Sequence, residues 1–223
     1  RSSRIHSPTC HGLLLSRMLQ QMAPYSRRQT IDNIRTAICR SCNNELDRAT
    51  DMKKNDIHTI NLQYYHSPCG ELVLASVGEE LCLCDWTNNP CAERNMHRLI
   101  RYLNAELKIE TSPVLSETQR QLNEYFAGNR KTFCVPLHPV GTDFQLRVWN
   151  ALLNIPYGAT RSYKQIATSI GRPEAVRAVA RAIGANGISI LIPCHRVIGS
   201  NRSLTGYAGG LEAKRMLLQM EDK

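Results

Sequence analysis

Ser162-Tyr-Lys-Gln-Ile-Ala-Thr-Ser-Ile170, then Gly171-Arg172, then Pro173-Glu-Ala-Val-Arg-Ala-Val-Ala-Arg-Ala-Ile183, is the segment from which the architecture of this chain is read. Ser162 is a good N-cap and Pro173 suits the first position of a second helix. Two short helices joined by a tight glycine turn make a helix-turn-helix. Ala175, Ala178, Ala180 and Ala182 keep the second helix slim. A slim helix fits a DNA groove, and small residues equally serve tight helix packing, so spacing alone leaves both open. Upstream, Phe144, Val148, Trp149 and Leu152 share one face of a helix over 144–153, which ends before Ile155-Pro-Tyr-Gly158. Residues 141–223 therefore form a mostly helical C-terminal domain.

The texture differs between Ile57 and Val140. Ile60-Asn-Leu-Gln-Tyr-Tyr65 alternates, Ser67-Pro-Cys-Gly70 supplies turn residues, and Glu71-Leu-Val-Leu-Ala-Ser76 reads as a partner strand. Leu81-Cys-Leu-Cys-Asp-Trp86 continues the antiparallel meander. Helical spacing follows over 95–107, through Met96, Leu99, Ile100 and Leu103, and again over 116–126, stopping at Gly128. Cys82, Cys84 and Cys134 fall on apolar strand positions and read as small core side chains. The fold class expected is α+β: a small N-terminal α/β unit with antiparallel strands over 57–140, then the helical domain. Nothing in the first unit looks catalytic.

With 223 residues, 42% hydrophobic and 21% charged, the chain excludes wholesale disorder. No run approaches the ~18 apolar residues of a membrane span, and Gly12-Leu-Leu-Leu15 is too short for a signal-peptide core, so a soluble protein is expected. Nine cysteines without a secretory signal point to free thiols in a reducing compartment. The net charge of +9 divides as +5 over 1–56, −2 over 57–140 and +6 over 141–223. Any polyanion should therefore meet the last third. Residues 1–56 read as a poorly ordered extension with transit-peptide-like composition, though 12–22 and 31–38 have helical spacing. Cys39-Arg-Ser-Cys42 is a lone pair without a zinc partner, and Arg1 in place of Met points to a trimmed or partial chain.

Ser189-Ile-Leu-Ile-Pro-Cys-His-Arg-Val-Ile198 carries the chemistry. The nucleophile of a cysteine is its thiolate, which is a minor species at neutral pH for a thiol of pKa about 8.5. A neighbouring imidazole or cation can draw off the proton and hold the charge. Pro193 fixes the backbone at the entry to Cys194. Sequence neighbours such as Cys194 and His195 often diverge in space, so the pair alone leaves a structural and a functional reading level.

Ile192-Pro-Cys-His-Arg-Val197 resembles the active-site signature of the O6-alkylguanine-DNA alkyltransferases, the methylated-DNA–protein-cysteine methyltransferases. Gly141-Thr-Asp-Phe-Gln145, Ile155-Pro-Tyr-Gly158, Ser162-Tyr163, Arg177-Ala-Val179, Asn186, Tyr207 and Gly209-Gly-Leu211 resemble the surrounding blocks, in the family's order and spacing. The resemblance runs from about Ile57 to the end.

It implies that an alkylated guanine, or O4-alkylthymine, is rotated out of double-stranded DNA into a pocket. Arg177 would enter the vacated stack, beside Ala178 on the DNA-binding helix. Tyr163 would crowd the target's phosphate and donate a proton to the departing base. Cys194 would take the alkyl group, with His195 as base through a bridging water, Glu221 holding the far ring nitrogen and Asn186 bracing the turn. Pro193, Val197, Tyr207, Ala208 and Gly209 would shape the substrate pocket.

The same resemblance implies a single-turnover protein consumed by its own reaction, needing no cofactor and no metal. It would be a monomer without an obligate protein partner or membrane, placed in the cytoplasm, or in the nucleus of a eukaryote. Gly187 departs from the proline many members carry. His66, Cys69, Cys91 and His97 do not match the zinc pattern of some members. Two other readings are an alkyltransferase-like damage-recognition protein, which lacks the nucleophile, and a helix-turn-helix regulator with Cys194 merely buried.

Overall fold

The computed structural model describes residues 58–222. The extension expected over 1–56, with its two segments of helical spacing and Cys39/Cys42, lies outside the described residues. Strand β1 (His58–Ser67) turns at Pro68-Cys69 into antiparallel β2 (Gly70–Val77), with Leu62 opposite Ala75 and Tyr64 opposite Val73. Strand β3 (Glu80–Trp86) pairs antiparallel with β2.

Most of β2 and β3 is buried because both faces of this sheet are covered. Val73, Ala75, Cys82 and Leu83 point to one side, with Met96 and Leu99 of helix α1 (Ala92–Leu103). Leu72, Leu74, Leu81, Cys84 and Trp86 point to the other, against helix α2 (Pro113–Phe126) and the C-terminal half. Alternation survives as a choice between two apolar faces rather than between core and water.

Three expectations over local structure are corrected. The helix expected over 95–107 stops at Leu103, because Asn104 turns left-handed (φ 45°) and its N–H bonds back to the Ile100 carbonyl. Residues Ala105–Lys108 instead form β4, parallel to β1 with Leu107 beside Ile60, giving the sheet order β3-β2-β1-β4. Cys134 is exposed and outside any strand, its N–H donating to the Gln121 side chain at 2.8 Å. Helix α2 begins three residues earlier than expected, with Ser112 as N-cap and Pro113 in the first turn.

In the second half, Thr142 and Gln145 form a capping box that starts α3 (Asp143–Leu153). Ser162 and Gln165 do the same for α4 (Tyr163–Ser169). The Gly171-Arg172 turn leads to α5 (Val176–Gly184), which begins after Pro173, not on it: the Ala175 N–H closes a turn on Arg172 first. Residues 194–196 make one 3₁₀ turn, followed by β6 (Val197–Ile198) and α6 (Gly210–Glu221). Strand β5 (Arg161–Ser162) runs parallel to β6, so the entry to the helix-turn-helix is paired with the residues just after Cys-His-Arg.

The two halves share one core. Tyr65, Leu74 and Trp86 pack in the same cluster as Trp149, Val197 and Leu217. The Cys84 N–H donates to the Gly187 carbonyl at 2.8 Å, and the Ser189 N–H donates to the Cys84 carbonyl at 2.7 Å. Among the described residues no helix is long and apolar enough to cross a membrane. Nor, among them, do three or more His, Cys, Asp or Glu side chains gather where a metal ion could be held.

Candidate active site

The segment Ile188–Ile192 reaches Cys194 through a tight, fully packed path. Ile190 sits there with φ 71°, a region that a β-branched residue adopts at an expense of about 1–3 kcal/mol. It is held by buried neighbours and by the Ile192 N–H donating to the Ile188 carbonyl at 3.0 Å. Asn186 ties the same path together: its amide nitrogen donates to the carbonyls of Ile188 (3.4 Å) and Ile192 (3.1 Å), and its oxygen accepts from the Ile188 N–H (3.0 Å). The strained turn and the asparagine clamp hold the backbone just ahead of the thiol.

Cys194 opens the 3₁₀ turn and is 5% exposed. It lies on the wall of a cleft of about 260 Å³. Asn186 lines that cleft beside it, Tyr163, Tyr207 and Ala208 line another part, and Asn89, Pro90 and Cys91 come from the N-terminal half. The size is close to the lower end, about 300 Å³, of ordinary small-molecule sites.

Next to Cys194 in the chain, His195 is completely buried and its Nε2 lies 2.9 Å from Glu221 Oε1. Glu221 is caged. Its Oε1 also accepts from the Tyr125 hydroxyl (2.6 Å) and from Arg196 Nη2 (2.9 Å), while its Oε2 accepts from Arg196 Nε (2.9 Å) and the Gly158 N–H (3.3 Å). The bidentate arginine fork is the strong form of this pairing. Gly158 has φ +74°, and a Cβ there would stand 2.9 Å from the Glu221 carbonyl oxygen, so the donor position demands glycine.

Burial acts to raise the Glu221 pKa, but hydrogen bonds from His195, Arg196 and Tyr125 outweigh it and hold the carboxyl well below its ordinary range. An ionised carboxylate only accepts, so His195 Nε2 carries the proton. Burial lowers the imidazole's pKa against the opposing pull of Glu221, which favours the neutral ring. Its Nδ1, buried and without a protein partner, then presents a lone pair. Burial pushes the Cys194 thiol up, offset in part by a hydrogen bond from Asn186 and by the charge of Lys214. The side chain of Lys214 is itself buried, donating to the carbonyls of Val197 (2.6 Å) and Thr205 (2.8 Å), and burial brings its pKa down to about 8.

The sequence-named residues divide into groups. Cys194, Asn186, Tyr163, Tyr207 and Ala208 meet at the cleft, while His195 and Glu221 pair with each other in the buried interior. Arg177 and Ala178 lie exposed on the first turn of α5, outside the cleft. Pro193, Val197 and Gly209 are not among the cleft-lining residues. Val197 is wholly within the core, and the space beside Gly209 is filled by the Trp86 ring, 2.6 Å from where a Cβ would sit. The absent side chain at Gly209 leaves room for the Trp86 ring.

Sequence reasoning missed several supports, and the N-terminal half is not inert. Tyr125 reads as one more apolar position on α2, and Lys214 as a solvated charge on α6. Trp86 Nε1 donates to the Tyr207 hydroxyl at 3.3 Å. Buried Asp85 accepts from Asn89 (2.9 Å) and Asn95 (2.8 Å), and Asn89 Oδ1 accepts from the Cys91 N–H (2.9 Å), fixing the 89–91 wall. An Asp near the end of a strand, followed by Asn88-Asn89 ahead of the next helix, was the available signal.

A helix-turn-helix beside a cleft-lining thiol, followed in the chain by an imidazole tied to a caged carboxylate, defines a DNA-associated group-transfer protein. The sequence profile of the 6-O-methylguanine DNA methyltransferase ribonuclease-like domain matches residues 60–139, and that of the DNA binding domain matches 143–223. The chain belongs to this family of methyltransferases. The constitutive methylated-DNA–protein-cysteine methyltransferase of Bacillus subtilis is 43% identical over 169 residues, 72% of this chain and 96% of the relative. That of Methanosarcina barkeri is 55% identical over 114 residues, 51% of this chain and 72% of the relative. The Mycobacterium tuberculosis OGT crystal structure in complex with DNA superposes with a TM-score of 0.62 at 43% identity, covering 74% of this chain and 92% of that one.

Proposed function

We propose that this chain repairs O6-alkylguanine, and O4-alkylthymine, in double-stranded DNA by direct reversal, moving the alkyl group irreversibly onto Cys194. The observation that carries the reading is Cys194 on the cleft wall, followed in the chain by an imidazole whose Nε2 is tied to the Glu221 carboxylate. Residues 141–223 supply DNA docking and chemistry, while 57–140 brace the Glu221 cage and one cleft wall.

The helix-turn-helix docks on the duplex and Arg177 fills the stack left by the extruded nucleotide, beside Ala178, whose small side chain permits close approach. Extrusion costs a few kcal/mol, least for a damaged base. In the cleft, Tyr163 hydrogen-bonds the base and gives its proton as guanine departs. The Cys194 proton passes through a bridging water to His195 Nδ1, and Glu221 stabilises the imidazolium. The sulfur attacks the alkyl carbon, the S–C bond forms as the C–O bond breaks, and the electron pair leaves with the base. A thioether has no good leaving group, so the protein turns over once. A single displacement of this kind requires no cofactor. The place of action is the cytoplasm, or the nucleus in a eukaryote, and the working unit is a monomer.

Incubation with an O6-methylguanine duplex tests this. Mass spectrometry should find one added CH₂ on the Cys194 peptide and unmodified guanine in the DNA. Cys194→Ala should bind the damaged duplex without transfer. Tight binding by the wild type with Cys194 unmodified and the damaged base intact would instead identify a damage-recognition protein.

A further inference from the structure

Resting on the repair reading, we propose that the face of α1 bearing Arg94, His97, Arg98 and Arg101 is a second phosphate-binding surface, for the duplex backbone beside the extruded nucleotide. Positions 94, 98 and 101 share one face of the helix. Among the described residues none of these three guanidinium groups is paired with a carboxylate, whereas His97 has Glu93 at 3.7 Å. Burial lowers the Arg98 pKa and the neighbouring Arg94 charge lowers it further, while the buried Asp85 carboxyl acts in the opposite direction. Together with Tyr102, which is 68% exposed, these side chains line an open groove of about 460 Å³.

Two contacts fix where this face lies. Arg94 Nη2 is 2.8 Å from the Cys91 sulfur, and Cys91 lines the cleft that holds Cys194. Arg98 Nη2 donates to the carbonyl of Ala185, the C-cap of α5, at 3.1 Å. The cationic face therefore starts at the cleft and is tied to the end of the DNA-docking helix. A nucleotide rotated into that cleft leaves its flanking phosphates at the mouth. From Arg94 to Arg101 the helix advances about 10 Å, roughly three base-pair steps measured along the duplex axis. Guanidinium forks match phosphate oxygens, and an exposed tyrosine among arginines suits nucleic acid better than an acidic protein. The −2 total for 57–140 conceals this local concentration of positive charge.

The test is the salt dependence of duplex affinity for the full chain, with damaged and undamaged DNA. Arg94→Ser/Arg101→Ser should weaken binding on the order of tenfold at 0.1 M salt and flatten the slope of log K against log salt by about 0.9 per lost contact. Arg101→Lys should restore the contribution of that position, and thermal unfolding should confirm that each variant is folded. An unchanged slope and affinity in the folded double variant would overturn the proposal, including the case in which α1 serves an acidic protein. Transfer by the wild type to Cys194 is read separately with free O6-benzylguanine. Its absence would remove the repair reading, while the slope alone judges the surface.

Discussion

Tyr125 and Glu221, ninety-six positions apart, meet through a 2.6 Å hydrogen bond that joins the middle of the chain to its last helix. The tyrosine is fully buried and packs edge-on to Tyr157, whose ring in turn lies 5.8 Å from the Arg196 guanidinium. Tyr125→Phe keeps the ring and deletes one charge-assisted donor. The expected loss is about 1.5–3 kcal/mol in urea unfolding, together with slower transfer to Cys194. Unaltered stability would mean that water replaces the phenol without penalty.

Acid should weaken the fold in two stages. Burial lowers the His195 pKa from its ordinary 6.5, so the unfolded chain takes up that proton first. Its contribution is full above about pH 6.5 and fades as the pH falls below. Glu221, depressed from its ordinary 4.5, contributes fully above about pH 4.5 and loses that on further acidification. Urea unfolding between pH 7 and pH 5 should show the first stage in the wild type and a smaller one in His195→Gln. Equal slopes would contradict this assignment.

Gly209→Ala should be disruptive although it adds only one methyl group. The new Cβ would stand 2.6 Å from the Trp86 ring, which is itself locked between the sheet and Tyr207. Overpacking of this kind costs about 1–3 kcal/mol. A lowered melting temperature and slower transfer are expected together. Slower transfer at unchanged stability would instead favour direct contact between Gly209 and the base.

Arg177 is exposed, so its removal should leave the fold intact. Arg177→Ala should slow single-turnover labelling by an O6-methylguanine duplex at least tenfold more than labelling by free O6-benzylguanine, because the free base needs no extrusion. Equal slowing would assign Arg177 to the chemistry, not to base flipping.

Much of the architecture was legible locally. The N-caps at Ser162 and Thr142 work within four residues, where a side chain satisfies the first free amides of its own helix. The β1–β2 turn is equally local. The error at 104–108 has a physical cause: Leu103 and Leu107 are spaced for a helix, and only pairing with β1 makes the strand better. Cys134 failed similarly, since an apolar-looking neighbourhood does not reveal which residues find a partner surface.

Within the site, Cys194, His195, Asn186 and Glu221 could be named because motif and spacing single them out, but their supports could not. Tyr125, Lys214 and Asp85 have the sequence appearance of ordinary helix or strand residues. The order of amino acids settled the short-range matters, namely which segments coil, where they are capped, and that a thiol precedes an imidazole. Whether that thiol reaches a cleft, which nitrogen of His195 is left with a lone pair, and how Glu221 stays ionised away from water were set by the folded chain. Each depends on hydrogen bonds and buried surface between residues separated by 25 to 96 positions, and such contacts exist only once the core has closed.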